Sequence, residues 1–282
     1  MKSFAFLLPL LVLTACEPAP EGEPVTRTRI DGNADSRTQA STSPDASQTV
    51  TSQVESACRS IIFENTPLTH CLATPSRHTI AMDLGPSGGD PYRSLSAFAS
   101  DRDPSRIAFA MNAGMYDDEG EPIGYFVEDG ERLKTLNTSN GEGNFHMDPN
   151  GVFFGSDGKW EVRTTQDFLA NVTDRPRFGT QSGPMLVIDG KLHPEISQDG
   201  ESRLVRNAVG VDVKGRAHFV ISNAPVSFGK LARFYRDELA VKNALYLDGN
   251  VSALWNPATD RLDAGAPIGP ILVVEKKEVT SD

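Results

Sequence analysis

The stretch Gly151-Val152-Phe153-Phe154-Gly155-Ser156-Asp157-Gly158-Lys159-Trp160-Glu161-Val162-Arg163-Thr164 reads as two strands joined by a reversal. The first half is an apolar run that stops at Ser-Asp-Gly-Lys. Asp-Gly supplies the left-handed backbone that a two-residue hairpin turn needs. Beyond the turn, Trp160 and Val162 alternate with Glu161 and Arg163, the period of two of a half-buried strand. Two similar reversals separate apolar runs elsewhere, Ile188-Asp189-Gly190-Lys191 and Val213-Lys214-Gly215-Arg216. Outward from these hairpins, short β-like runs recur at residues 69–73, 78–84, 107–112, 124–128, 185–188, 208–213, 217–221, 244–247 and 271–274, each bounded by turn residues. Helical patterns are few. Residues 95–99 make a short one. Residues 227–241 make the best, with Leu231, Phe234, Tyr235, Leu239 and Val241 roughly on one face. No fixed-period repeat is present. The pattern predicts an α+β fold: a strand-rich single domain with mixed or antiparallel sheets and few helices.

Composition narrows the function classes. The chain has 282 residues and a formal charge of −11, which argues against a nucleic-acid binder, since a phosphate backbone demands a basic face. No apolar run approaches 18 residues, so the sequence is not that of a polytopic helical membrane protein. Three cysteines are too few for a disulfide-dense scaffold or a cysteine-rich zinc site.

The first 56 residues are set apart. Lys2, the apolar residues 4–13 and Leu13-Thr14-Ala15-Cys16 follow the basic, apolar, small-residue order of a secretory signal. The small residues before Cys16 resemble the bacterial lipobox. That resemblance implies removal of residues 1–15, lipidation of Cys16 and attachment to a membrane in the bacterial cell envelope. Glu17 after the cysteine implies the outer membrane, facing the periplasm or the exterior. Residues 17–56 carry no aromatic residue and are rich in Ser, Thr, Pro, Glu and Gly, which predicts that 16–56 form a lipidated, disordered tether. The folded domain is then 57–282. Export into an oxidising compartment predicts a disulfide between Cys58 and Cys71, worth roughly 2–3 kcal/mol for so short a loop. The glycosylation sequons at Asn171 and Asn250 are chance matches in a bacterial protein.

Common catalytic signatures are absent: there is no P-loop, G-x-G-x-x-G, H-E-x-x-H or G-x-S-x-G. Gly179-Thr180-Gln181-Ser182-Gly183 holds its serine one place late. His70, His78, His146, His193 and His218 never lie three or four apart, so local metal-ligand spacing is missing, and each reads as structural or exposed. What remains is a set of polar residues at the ends of apolar strands: Asn112-Ala113-Gly114-Met115-Tyr116-Asp117, Gln181-Ser182-Gly183-Pro184-Met185-Leu186, Arg206-Asn207-Ala208-Val209-Gly210, Asn223, and Leu247-Asp248-Gly249-Asn250-Val251-Ser252. Each alone also fits an ordinary turn or an ion pair. Function gathers on loops held by a rigid scaffold, so their common placement at strand ends is the informative feature.

In order along the chain, these motifs resemble the phosphodiester glycosidase domain, whose mammalian member removes N-acetylglucosamine from a mannose phosphodiester. The likeness spans roughly residues 105–275, and Asn150-Gly151-Val152-Phe153 resembles the strand start of its bacterial branch. The family's triple-glycine turn is reduced here to Gly249, followed by Asn250 and Val251.

The resemblance implies a hydrolase that cleaves a sugar-phosphodiester bond of an envelope or extracellular glycan. A catalytically silent carbohydrate-binding lipoprotein is the alternative that the altered glycine turn suggests. A phosphodiesterase breaking the P–O bond is a third reading. On the first, Asp248 is nucleophile or general base, and Asp117 is the second carboxylate. Arg206 holds the departing phosphate with its planar fork. Asn112, Gln181 and Asn223 hydrogen-bond sugar or phosphate, Gly114, Gly183 and Gly249 admit close backbone approach, and Ser252 completes the substrate-binding set. No cofactor is required by this scheme. Asp117-Asp118-Glu119 is the one oxygen-rich candidate for calcium or magnesium, although EF-hand spacing is missing.

Overall fold

The computed structural model describes residues 55–248 and 251–278. In chain order its strands are β1 (Cys58–Phe63), β2 (Thr66–Ala73), β3 (His78–Asp83), β4 (Ile107–Asn112), β5 (Phe126–Glu128), β6 (Glu131–Lys134), β7 (Gly151–Ser156), β8 (Lys159–Thr164), β9 (Phe178–Ser182), β10 (Met185–Ile188), β11 (Lys191–Leu192), β12 (Asn207–Val211), β13 (Ala217–Ser222), β14 (Asn243–Asp248), β15 (Leu254–Asn256), β16 (Arg261–Leu262) and β17 (Ile271–Lys276). Three short helices accompany them: α1 (Leu95–Ser100), α2 (Thr165–Asn171) and α3 (Phe228–Arg233). The expected lipid anchor at Cys16 and the tether, apart from its last two residues Glu55 and Ser56, lie outside the described residues. Among those described, no helix is long and apolar enough to cross a membrane.

The strands form three sheets, in the orders β1-β2-β13-β12-β14-β10-β11, β16-β15-β4-β17-β3 and β6-β5-β9-β7-β8. Every paired ladder among them is antiparallel. The fold is thus the strand-rich α+β domain that the hairpin signals predict. Asp157 and Gly158, at φ 47° and 77°, turn β7 into β8, and Asp189 and Gly190, at 47° and 76°, turn β10 into β11.

The sheets meet at an aromatic junction. Phe219 of β13 lies edge-on to Phe109 of β4 at 5.3 Å and to Phe153 of β7 at 5.7 Å, one ring from each sheet. Period two explains the two-sided burial of β13. Ala217, Phe219 and Ile221 face this shared core, while Val220 packs on the other face with Leu231, Phe234 and Tyr235. The sequence predicts one helix over 227–241. The structure has α3, capped by Ser227 accepting from the Lys230 amide, and then a π-helical turn at Phe234–Glu238. Loosening the helix lets the consecutive aromatics Phe234 and Tyr235 both bury, and Tyr235 donates to the Ala208 carbonyl at 2.5 Å.

At the sheet edge, β1 pairs with β2 in the register Cys58↔Cys71, and these two residues form a disulfide.

Candidate active site

Four strand ends converge. Asn112 closes β4, Ser182 closes β9, Asn207 opens β12 and Asp248 closes β14. The Asn207 side-chain amide donates to the Asn112 backbone carbonyl at 2.8 Å and to its Oδ1 at 3.1 Å. The Asn207 Oδ1 accepts from the Asp248 amide at 3.0 Å. Asn112 Oδ1 accepts from the Ala253 amide at 2.9 Å, and its Nδ2 donates to the Val251 carbonyl at 2.6 Å, while reaching to 3.5 Å from Asp248 Oδ2. Ser252 donates to the Asp248 carbonyl at 2.9 Å, and Ser182 to the Leu247 carbonyl at 2.6 Å. Nearly every polar atom of this buried cluster is satisfied, as burial demands. Asn112, Asn207, Ser182 and Ser252 therefore form a clasp that fixes the backbone of Asp248.

Asp248 lines a cavity of about 490 Å³ with Asp117, Asp118, Tyr116, Tyr246 and Arg93. A cleft of about 750 Å³ beside Asp83 and Glu128 is larger, but it gathers none of the strand-end motifs. Asp117 is held in a turn, its Oδ1 accepting from the Glu121 amide at 2.9 Å. Tyr116 donates to the Pro267 carbonyl at 2.8 Å. Burial, and then the charge of Asp248, pushes the Tyr116 phenol up to about 12. Burial pushes Tyr246 well above the usual phenol range as well. Both rings stay neutral at physiological pH.

Several expected contacts are made elsewhere. Arg206 does not reach the cavity. Its guanidinium is fully buried, donating to the Val226 carbonyl at 2.9 Å, the Tyr246 hydroxyl at 2.9 Å and Ser202 Oγ at 3.0 Å, and it lies 3.8 Å over the Phe228 ring. The direct grip on phosphate is thus corrected to a brace behind Tyr246. Gln181 is also buried. Its Oε1 accepts from the Tyr125 and Asn137 amides, each at 2.9 Å, and its Nε2 donates to the Asn137 carbonyl and to Thr165, so nothing remains for a sugar. Asn223 sits apart, bonded to Thr69 and Arg261.

Gly114 and Gly183 are required by protein neighbours rather than by a ligand. A Cβ on Gly114 would fall 2.4 Å from the Gln181 carbonyl oxygen, and one on Gly183 would fall 2.7 Å from that of Phe145. Gly249 lies outside the described residues. Among the described residues no group of three or more His, Cys, Asp or Glu is arranged to hold a metal ion. Asp117 and Asp118 line the cavity, and Glu119 does not.

The run of strand ends, Asn-x-Gly, then Gln-x-Gly-Pro, then Arg-Asn-x-x-Gly, then Leu-Asp-Gly, is that of a known class of domains. The chain belongs to the phosphodiester glycosidase family, whose family model matches residues 105–275. Uncharacterized protein YigE of Escherichia coli (strain K12) is 32% identical over 182 residues, 64% of this chain and 71% of that protein. The zebrafish N-acetylglucosamine-1-phosphodiester alpha-N-acetylglucosaminidase catalytic domain, solved in a form auto-inhibited by its pro-peptide, matches with TM-score 0.53 at 15% identity. That match covers 78% of this chain and 82% of the zebrafish one, and it is a likeness of fold.

Sequence reading misses Arg93, Tyr116 and Tyr246 as cavity residues. Tyr116 stands inside a quoted motif and Tyr246 within the apolar run 244–247, and each lies within two residues of a carboxylate already selected. Arg93 follows the Gly88-Gly89-Asp90-Pro91 loop, and no local pattern marks it.

Proposed function

We propose that this domain is a hydrolase of sugar phosphodiesters, with Asp248 as its principal carboxylate. The observation that carries the reading is the meeting of Asp248 and Asp117, 131 positions apart in the chain, on one polar cavity within a family of phosphodiester glycosidases. In such a substrate the leaving group is a phosphate monoester. It departs as a stable anion and needs less protonation than a sugar alcohol, so one carboxylate acting as nucleophile or base carries most of the chemistry. The clasp under Asp248 supports this role, because a reacting carboxylate must be held within fractions of an ångström. Asp117, whose side chain is tethered through Oδ1, serves as the second carboxylate. Tyr116 and Tyr246, kept neutral, form walls that do not add negative charge.

The substrate in this reading is a glycan of the cell envelope or its surroundings, and the domain hangs from Cys16 on a lipid anchor and tether. Loss of radiolabelled acyl incorporation in Cys16→Ser tests the anchor. Continued acylation of that variant counts against it.

The functional test is turnover of a panel of chromogenic sugar-1-phosphodiesters by the purified domain, repeated with Asp248→Asn. Hydrolysis that the substitution abolishes without change in melting supports the reading. Glycan binding without turnover in the wild type would instead make the domain a silent binding module.

A further inference from the structure

We propose that Arg93 reads the phosphate of the substrate and makes this cavity selective for phosphodiesters over uncharged glycosides. The inference rests on the reading of the cavity as a sugar-phosphodiester site. It starts from an electrostatic problem. The cavity wall carries Asp117, Asp118 and Asp248, on a chain of formal charge −11. An anionic substrate entering a cavity lined by three carboxylates is repelled unless a cation stands among them. Arg206, the cation expected from the motif, is enclosed behind Tyr246 and fully occupied. Among the described residues lining the cavity, Arg93 is the one Lys or Arg.

Among the described residues the charge of Arg93 meets the Tyr116 ring and no carboxylate. Among the described residues its guanidinium makes no ion pair, and its one hydrogen bond runs from Nη2 to a neutral acceptor, the Asp118 carbonyl, at 3.1 Å. Of its five N–H donors, the two on Nη1 are enclosed against the Gly120 turn and one on Nη2 is used, so Nε and the second N–H of Nη2 remain for a ligand. Nη1 is buried without any acceptor. Several other arginines of the domain are paired with carboxylates: Arg102 with Asp83, Arg216 with Asp212, Arg233 with Glu64 and Arg261 with Asp263.

The group is also held in place before any ligand arrives. Arg93 has φ 59°, a left-handed backbone that a long side chain rarely adopts, and its carbonyl accepts from the Ile268 amide at 2.9 Å. The Asp117–Gly120 turn lies against the head group, and a Cβ at Gly120 would fall 1.9 Å from Nη1. The Tyr116 ring stands on another side, its centroid 5.8 Å from the guanidinium carbon. A planar fork with free donors at Nε and Nη2, fixed between a turn and a ring on the cavity that Asp248 lines, suits two oxygens of one phosphate. An uncharged aglycone gains nothing from it.

The test uses Arg93→Ala, Arg93→Lys and Arg93→Gly, the last because glycine accepts the left-handed backbone and guards against a folding failure. Two quantities are measured: the affinity for inorganic phosphate and for dimethyl phosphate by calorimetry, and kcat/KM on a sugar-1-phosphodiester relative to the aryl glycoside of the same sugar. Alanine and glycine are expected to weaken phosphate binding and to lower the phosphodiester-to-glycoside ratio by about 10- to 100-fold, the size of a lost charged hydrogen bond. Lysine is expected to restore only part, since it keeps the charge and loses the fork. Arg102→Ala, outside the cavity, is expected to leave phosphate affinity unchanged. Phosphate binding by the Arg93 variants equal to wild type, absence of phosphate binding by the wild type, or equal losses on both substrates would each overturn the proposal. If the wild type turns over no phosphodiester, the functional reading fails, whereas the binding measurement still decides the role of Arg93.

Discussion

Asn207 and Asn112, 95 residues apart, clasp one another across two sheets, with the Asn207 amide giving one hydrogen bond to the Asn112 backbone at 2.8 Å and one to its side chain at 3.1 Å. The same Asn207 accepts from the Asp248 amide. One buried amide thus ties β4 to β12 and sets the end of β14, and this is how the fold reaches the site.

Asn207→Ala removes that tie, taking one donor from each of the two Asn112 oxygens and the side-chain acceptor from the Asp248 amide. The expected cost is about 2–3 kcal/mol of stability, with activity lost beyond the fall in folded fraction. Urea unfolding alongside turnover per folded molecule checks both. A fully stable, fully active variant would show the clasp to be incidental.

Arg206→Met tests the brace. Its loss leaves the Val226 carbonyl with only the longer bond from the Leu204 amide and releases Tyr246, so the domain is expected to lose on the order of 3 kcal/mol. Arg206→Lys is not expected to rescue it, because one ammonium cannot reach Val226, Tyr246 and Ser202 together. Kinetically, a brace lowers kcat and spares KM for the phosphodiester. A rise in KM with unchanged stability would instead restore the direct phosphate grip.

The Cys58–Cys71 disulfide crosslinks the β1–β2 hairpin at the edge of the seven-stranded sheet. Reduction, or the double change to serine, is expected to lower stability by about 2–3 kcal/mol through the freed unfolded chain. Activity at low temperature is expected to persist, since the bridge lies away from the cavity. Differential calorimetry with and without reductant reads the change.

Glu128 gives the domain a pH dependence of its own. Burial, with the charge of Asp83 added, raises its carboxyl to about 7, against an ordinary 4.5. The folded state therefore binds the proton more tightly than the unfolded chain. The contribution is fully present below pH 4.5 and is lost as pH rises through 7. Glu128→Gln mimics the protonated form and can keep the contact that Oε2 makes with the Leu84 amide at 3.1 Å. It is expected to gain on the order of 1–2 kcal/mol over wild type at pH 8, after allowance for solvent screening, and little at pH 4.5. Chemical unfolding at the two pH values measures the difference, and an equal gain at both would refute the titration.

Local patterns of the chain carried the strands and the turns, because Asp-Gly pairs and alternation act over a few residues. They did not carry β9. Phe178-Gly179-Thr180-Gln181-Ser182 has one large apolar residue and reads as a turn, yet all five positions are buried, since Gln181 and Ser182 satisfy loops and a neighbouring strand from inside the core. The carboxylates were legible for the same local reason: Asp248 ends an unbroken apolar run. Roles that depend on distant packing were not. The spacing of Arg206 is the same whether it faces a ligand or Phe228, and the left-handed backbone of Arg93 leaves no trace in residue order. The histidines make the point again. Their spacing is uninformative, but antiparallel register across 148 residues brings His70 Nε2 to 3.0 Å from His218 Nδ1.

The proposed hydrolysis cleaves at the anomeric carbon with Asp248 at the reacting centre. Hydrolysis of a sugar-1-phosphodiester in oxygen-18 water, followed by mass analysis of both products, tests it most directly. The label is expected in the sugar for the wild-type domain, with no product from Asp248→Asn. Label in the phosphate, or unchanged turnover by that variant, would contradict it.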